Sequence, residues 1–392
     1  MESALKTEKP STYEKQHSFK EVYSLKETQM IEIQQRRAVR IIQETIDGQS
    51  LESKKQQVIH KVLNDLSKTG PQEKADFYIT RFIADEMERL GDDQLIRYLF
   101  HRYRYDIYPL IHISDDYPPY INIEPSSFCN YRCVFCYHSD PTFHRKSHGH
   151  MGLMTFKTYK KIIDQIENNV EFFSLASRGE PMLCKDIDQV LEYSVGKFLG
   201  MKLNTNASLL TEKHIHAILA GGVKTVVFSA DAAEEELYGK IRVNGSLKRT
   251  VKKIELFQNI RAKHYPHSKI ISRVSGVMIN PEKQQMGEME KFWGSLVDQV
   301  AFVKYNPWDM TYESEVNTIT QPCSELWLRM FIWYNGEANP CENDYKSMLT
   351  LGNVTSKTIS EIWTSDAYNH LRERHLNARR REIEPCKRCV VV

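Results

Sequence analysis

The residues best suited to chemistry in this 392-residue sequence are its eight cysteines. Three stand together, Cys129, Cys133 and Cys136, in the run Pro125-Ser-Ser-Phe-Cys-Asn-Tyr-Arg-Cys-Val-Phe-Cys. Thiolates hold iron–sulfur clusters, a cubane normally taking four, so three local thiolates would leave one iron open to an outside ligand. The other reading is structural zinc of the Cys3His type with His138 as fourth ligand. His138 is a short arm beyond Cys136, and zinc ligands usually come as two well-separated pairs. The loop alone favours iron–sulfur and leaves zinc open. A second set, Cys323, Cys341, Cys386 and Cys389, lies toward the C-terminus. Four thiolates can close a site completely, and their spacing suits a zinc ribbon as well as a cluster. Cys184 is left over and reads as a small packed residue.

The elements that must carry these residues follow from periodicity. Apolar or β-rich runs at 120–124, 171–177, 200–206, 224–230, 269–278 and 297–305 predict six strands. Helical patterns at about 155–168, 184–197, 210–220, 247–262 and 282–295 fall between them. Such alternation means a parallel sheet with right-handed crossovers, either an open sheet or a curved partial barrel. The site belongs at the C-terminal ends of the strands, where the first cysteine loop lies. No Gly-x-Gly-x-x-Gly follows strand one, so a dinucleotide fold has no support.

Before the sheet, residues 1 to about 27 read as polar and loose, and three amphipathic helices follow. Their core-facing stripes are Met30, Ile33, Val39, Ile41, Ile42 and Ile46, ended by Gly48; Val58, Ile59, Val62, Leu63 and Leu66, ended by Gly70-Pro71; and Ile79, Phe82, Ile83, Met87 and Leu90, ended by Gly91. After Pro307 the alternation stops. Residues 324–334 and 337–341 flank Asn335-Gly336, a two-residue hairpin signal. That register sets Cys341 opposite Met330, so the chain must bend for the second cysteine set to converge. A helix is predicted at about 358–381, with Arg379-Arg380-Arg381 as its solvated end. Trp308, Trp327, Trp333 and Trp363 read as core that shields the second set. The expected units are 1–115, 116–310 and 311–392.

Composition narrows the class. Lys+Arg 53 against Asp+Glu 51 gives a net charge of +2, which argues against a protein that grips nucleic acid by charge. Hydrophobic residues make up 41%, enough for a sizeable core. Mean hydropathy is −0.51, and no run of about 18 apolar residues offers a membrane span. The N-terminal segment has no apolar signal region, so a cytoplasmic protein is expected, in a compartment where clustered cysteines mean metal.

Cys-x3-Cys-x2-Cys after strand one, with Phe135 before the last cysteine, resembles the signature of the radical S-adenosylmethionine (radical SAM) superfamily, and the likeness extends over residues 120–305. Ser177-Arg178-Gly179-Glu180-Pro181 at the end of strand two is similar to that family's Gly-Gly-Glu-Pro motif, with Arg178 replacing the first glycine. The resemblance implies that Glu180 meets the SAM amino group, as a carboxylate accepting charge-assisted hydrogen bonds. Arg178 puts the local backbone shape in question. Ser229-Ala-Asp231 resembles the ribose-contacting Ser-x-Asp, and Asn204-Thr205-Asn206 more weakly resembles Thr-Asn-Gly, with Ala207 in place of the glycine. Arg273 is the candidate for the SAM carboxylate, with Arg242 competing. At the C-terminus, twelve residues separate Cys323 from Gly336-x4-Cys341, and Cys386-x2-Cys389 follows. This resembles the SPASM/twitch extension, and the short stretch after Cys389 favours the twitch form with one auxiliary [4Fe–4S] cluster.

The resemblance implies an α/β fold: a partial (β/α)6 barrel with an N-terminal helical region and a small C-terminal α+β cluster-binding domain. It implies a SAM-binding [4Fe–4S] cluster on Cys129, Cys133 and Cys136, with Phe135, Gly179, Glu180, Ser229, Asp231 and Arg273 around SAM. A reduced cluster cleaves SAM to methionine and a 5′-deoxyadenosyl radical, which takes a hydrogen from substrate; the cofactor does the hard chemistry and the protein positions it. An auxiliary cluster closed by four cysteines has no position for substrate and is left with electron transfer. That points to two-electron oxidation of a small-molecule alcohol such as a sugar or aminocyclitol, fed by a one-electron donor such as flavodoxin or ferredoxin. Peptide or protein maturation is the alternative. A non-enzymatic zinc-binding interaction protein is a third class. Tyr305, Asp309 and Glu313 are general-base candidates, set against a favoured reading as exposed loop residues.

Overall fold

The computed structural model describes residues 12–13, 29–48, 53–68 and 76–392; the expected stop at Gly70-Pro71 and nearly all of the polar N-terminal segment lie outside the described residues. The chain forms two compact units, Val22–Ser114 and Met1–Glu21 together with Asp115–Val392.

The first unit is helical: Gln29–Gly48, Ser53–Leu66, Arg81–Glu88, Asp92–Asp106 and a single turn, Tyr108–Ile111. The fourth helix was not predicted. Gly91, read as a stop, is the N-cap of that helix, and its N–H donates to Gln94 Oε1 at 3.2 Å. The helix buries Leu95, Ile96, Tyr98 and Leu99 but also His101 and Arg104, so charge and aromatic residues blur its apolar stripe. Ile33, expected in the core, is 58% exposed; the buried stripe of the first helix runs through Gln34, Ala38, Ile41 and Ile42.

The second unit is built on the predicted sheet. Strands β1 (Tyr120–Ile123), β2 (Phe172–Leu175), β3 (Gly200–Thr205), β4 (Val223–Ser229), β5 (Ile271–Met278) and β6 (Gln299–Lys304) lie side by side in that order, every pair parallel. Helices such as Phe156–Ile166, Glu212–Ala220 and Leu247–His264 cross between them. Phe156–Ile166 explains why this works locally. Thr155 caps it by accepting from Thr158 N–H, and Tyr159, Ile162, Ile163 and Ile166 form one buried stripe. The strands read as apolar runs because both faces are covered: Ile121, Ile123, Phe173, Leu175, Leu203 and Val226 are all fully buried. Among the described residues the sheet is open, with β6 at one edge.

The C-terminal segment extends this same sheet. β7 (Arg329–Ile332) adds parallel to β1, with Tyr120 beside Arg329 and Ile123 beside Ile332. β8 (Glu337–Asn339) and β9 (Gly352–Asn353) follow outward, making nine strands. The hairpin is not the expected two-residue turn. Gly336 N–H donates to Trp333 O and Trp333 N–H to Glu337 O, both at 2.9 Å. Gly336 takes φ +84°, a left-handed bulge after the turn. The register therefore slips by one, pairing Asn339 with Phe331, and Cys341 does not face Met330. The predicted 358–381 helix is two helices, Ile359–Trp363 and Asp366–Leu376. Ser365 breaks it, because its side chain accepts from Tyr368 N–H and caps the second helix.

Candidate functional site

The Cys129–Cys136 loop leaves the C-terminal end of β1. Its middle, Arg132–Cys133, forms a short antiparallel ribbon with Arg242–Val243, which sets Cys133 opposite Arg242. The Arg242 guanidinium lies 2.6 Å from Asp231 Oδ2 and 3.9 Å from Cys133 Sγ. Asp231 is fully buried, and its Oδ1 accepts from Val277 N–H at 2.7 Å. At the other end of the loop, Tyr131 N–H points at Cys129 Sγ (3.4 Å), and Asn206 Nδ2 lies 3.9 Å from the same sulfur.

Glu180 is held beside Cys129 by three donors. Thr205 Oγ1 donates to its Oε1 at 2.6 Å, Asn206 N–H to its Oε2 at 2.7 Å, and Met182 N–H to Oε1 at 3.2 Å. Burial pushes its carboxyl above the ordinary range, and these donors oppose the shift. Gly179 is required by close backbone approach: a Cβ there would sit 2.3 Å from Ser126 O and 2.5 Å from Phe128 O. Ala207, where the family motif has glycine, keeps the left-handed backbone at φ +64°.

Arg178, the departure from the family motif, has a structural partner. Its Nε and Nη2 donate to the two carboxylate oxygens of Glu124 at 2.6 and 2.7 Å, and both side chains are buried. Its Nη1 donates to Tyr345 O at 2.9 Å, and the guanidinium stacks 4.1 Å from the Trp333 ring. The pair ties the β2 loop to the end of β1 and to the C-terminal hairpin. His138 Nε2 lies 2.6 Å from Arg178 O and its Nδ1 3.4 Å from His144 Nε2. Burial pushes this imidazole down to about 3, so it is neutral, and both ring nitrogens face partners other than the cysteines.

The strand-end residues do not all gather here. Ser229 ends β4, half-buried, opposite Ser275. Arg273 sits earlier on β5, its Nε and Nη2 on Gln299 Oε1 at 3.0 and 2.6 Å. The arginine beside the first cysteines is Arg242. Tyr305 and Asp309 are not exposed loop residues: they are 5% and 7% exposed, and the Tyr305 hydroxyl donates to Asp309 Oδ1 at 2.6 Å. Between them in the chain lies Trp308, whose ring meets Phe135 edge-on at 6.1 Å. Trp308 thus belongs beside the first set, not the second. Glu313 is exposed. Cys184 is 3% exposed and packs in the core with its thiol directed at Met154 O.

The chain does bend to bring the second set together. Cys323, Cys341, Cys386 and Cys389 line one pocket with Asn343, His375 and Arg380. Arg380, expected in solvent, is 1% exposed, while Arg379 and Arg381 stay outside. Trp333 packs under Arg178 and Trp363 lies 4.2 Å from the Arg372 guanidinium, so these tryptophans build the core around other partners.

Both thiol sets have the chemistry of cluster ligands. Burial pushes Cys129 up to about 11, Cys133 and Cys323 up to about 12, and Cys136, Cys341 and Cys386 well above the ordinary thiol range. Such thiols keep their protons until a bound cation displaces them, and each set has a buried arginine to balance thiolate charge.

The chain is similar to known proteins. Residues 123–271 match the family model of the radical SAM superfamily, and residues 323–390 match that of the SPASM iron–sulfur cluster-binding domain. The chain is 21% identical over 277 residues to S-adenosyl-L-methionine-dependent 2-deoxy-scyllo-inosamine dehydrogenase of Niallia circulans, covering 69% of this chain and 91% of that protein. It is 28% identical over 159 residues to mycofactocin maturase MftC of Mycobacterium tuberculosis, which covers 40% of this chain and 37% of that protein. The crystal structure of Streptococcus suis SuiB has the same fold, with a TM-score of 0.52 at 16% identity, over 83% of this chain and 84% of that one. Among the described residues no helix is long and apolar enough to cross a membrane. The chain belongs to the radical SAM superfamily and carries a SPASM-type C-terminal domain, and is therefore a SAM-dependent iron–sulfur enzyme with a [4Fe–4S] cluster and an auxiliary iron–sulfur centre.

Proposed function

We propose that this enzyme oxidises a small-molecule alcohol, of the sugar or aminocyclitol kind, by two electrons to a ketone. The observation that carries this reading is the closed set of four cysteines in one pocket, Cys323, Cys341, Cys386 and Cys389. In this reading they hold one auxiliary [4Fe–4S] cluster with no position left for substrate, while Cys129, Cys133 and Cys136 hold the SAM-binding cluster. The likeness to a SAM-dependent dehydrogenase along 91% of that relative's length supports the same assignment.

A cluster held by Cys129, Cys133 and Cys136 with SAM on its open iron would supply the hydrogen-abstracting 5′-deoxyadenosyl chemistry. The remaining work falls to the chain's own residues. Glu180, fixed by Thr205 and Asn206, orients the SAM ammonium. Arg242 balances thiolate charge and presents a guanidinium to the SAM carboxylate. Gly179 lets the backbone come close, Phe135 covers the loop, Ser229 at the end of β4 is left to meet the ribose, and Asp231, its carboxylate held by Arg242 and Val277 N–H, orients that arginine. Asp309, hydrogen-bonded to Tyr305 beside Phe135 and Trp308, is the group placed to receive the hydroxyl proton as the ketone forms. We further propose that the functional units divide near residues 115 and 310, that a flavodoxin or ferredoxin supplies the first electron, and that the enzyme works in the cytoplasm.

Peptide maturation is the second reading, favoured by the 28% identity to a maturase over residues that cover 37% of that protein. Isotope labelling separates the two. A polyol or aminocyclitol carrying deuterium on the carbinol carbon should pass it into 5′-deoxyadenosine and appear as ketone. Replacing Cys386 and Cys389 together by alanine should leave 5′-deoxyadenosine formation measurable and reduce ketone to background. Wild-type ketone yield from that variant would end the oxidative role of the second cysteine set.

A further inference from the structure

Arg380 and His375 bring buried, unpartnered N–H groups to the wall of the four-cysteine pocket. Each is 1% exposed, and each lines that pocket. The Arg380 guanidinium is held by backbone alone. Nη1 donates to Gln321 O and Val391 O, both at 3.0 Å, and Nη2 donates to Cys389 O at 2.9 Å and Cys386 O at 3.3 Å. Among the described residues no carboxylate pairs with it, and its Nε, fully buried, has no hydrogen-bond partner. A buried cation without a counter-charge is strongly disfavoured. The four cysteine sulfurs line the same pocket as the guanidinium, and the one carboxylate on that wall, Glu325, is paired with Arg329 at 3.2 Å.

His375 supplies a second donor. Cys323 N–H donates to its Nδ1 at 3.2 Å, so the neutral ring carries its proton on Nε2. That Nε2 is buried and has no partner. Asn343 is a third donor on the same wall, its Nδ2 lying 3.3 Å from Cys389 Sγ. One pocket thus gathers four sulfurs, a guanidinium with no carboxylate paired to it and two buried N–H groups without acceptors, Arg380 Nε and His375 Nε2.

We infer that Arg380 and His375 form a charged, hydrogen-bonding cradle that sets the reduction potential of the auxiliary cluster. This rests on the reading above that the four cysteines hold iron and sulfide. A cubane on four thiolates is an anion whose sulfurs accept hydrogen bonds, and adding an electron makes it more negative. A fixed positive charge and N–H donors favour the reduced form more than the oxidised one, and so raise the potential. The cradle therefore makes the cluster a better acceptor for the electron that leaves the substrate carbinol radical as it becomes ketone and releases its hydroxyl proton. Arg380 and His375 act through the cluster and touch no reacting atom, which makes them positioning residues.

The test is an anaerobic redox titration of the full-length, reconstituted enzyme followed by electron paramagnetic resonance, with iron, sulfide and zinc measured on the same samples. SAM perturbs only the cluster with an open iron, so the signal that ignores SAM is the auxiliary one. Arg380→Met and His375→Phe should each lower the auxiliary midpoint so that the reduced-to-oxidised ratio at a fixed potential falls about tenfold, which is 59 mV for one electron. His375→Gln, which can restore an N–H donor, should recover much of the shift, and the SAM-sensitive cluster should not move in any variant. Iron-replete variants with unchanged auxiliary midpoints overturn the inference. If Arg380→Met fails to hold its second cluster, the comparison of His375→Phe with His375→Gln decides the matter by the same criterion. Wild-type protein with zinc in the second site and no SAM-insensitive signal overturns the underlying reading instead.

Discussion

Replacing Cys133 with alanine should abolish 5′-deoxyadenosine formation and lower the iron content from about eight to about four per chain, one cubane lost of two. Cys133 is the middle thiol of its loop and is fixed by the ribbon that pairs it with Arg242. A site with three thiolates has no spare: removing one leaves two, too few to keep a cubane with one iron already open to solvent or SAM. Cys184 cannot substitute, because it is buried with its thiol directed at Met154 O. Cys184→Ala is therefore the matched control and should keep both its iron and its 5′-deoxyadenosine yield. Iron assay and chromatographic detection of 5′-deoxyadenosine read both outcomes. A Cys133→Ala protein that cleaves SAM at the wild-type rate would remove this loop from the chemistry.

The second large effect lies in stability. Arg178→Met should cost the second unit about 3–5 kcal/mol, the range for removing one partner of a buried ion pair. Glu124 is fully buried, and the substitution would leave its carboxylate with only the N–H groups of Arg178 and Tyr334, at 3.3 and 3.2 Å. Arg178→Lys should fall between, since an ammonium keeps the charge but cannot reproduce the two-pronged contact or the stack on Trp333. Adding Glu124→Gln to Arg178→Met should recover part of the loss, because the uncompensated charge is then gone. Urea unfolding of the metal-free chain, followed by tryptophan fluorescence, measures all four proteins. Equal stability of wild type and Arg178→Met would mean that the pair does not hold the hairpin to the β2 loop.

The contrast between Arg178 and the cysteines explains what was legible in the sequence. Cys129, Cys133 and Cys136 share one short loop, so chain connectivity alone brings them together. Glu180 and Asn206 end neighbouring parallel strands, and a parallel sheet delivers strand ends to one edge. Arg178 depends on Glu124, 54 residues away, and Arg380 on the backbone of Gln321, 59 residues away, together with that of Cys386 and Cys389 beyond the helix. An arginine read without its partner looks like a departure from a motif, or like a solvated helix end. The hairpin failed for a local reason: Gly336 takes the left-handed bulge after a longer turn, which moves every cross-strand pair by one residue. The long C-terminal helix failed because the capping preference of Ser365 outweighs the continuing helical pattern on both sides. Arg273 and Arg242 both suited a SAM carboxylate by type, and only the ribbon between residues 132–133 and 242–243 separates them.

Anaerobic incubation of the brown, reconstituted full-length protein with SAM and a low-potential reductant tests the central claim most directly. The expected result is about eight irons per chain and 5′-deoxyadenosine that forms only when both SAM and reductant are present. A colourless protein with about two zincs and no 5′-deoxyadenosine would contradict it.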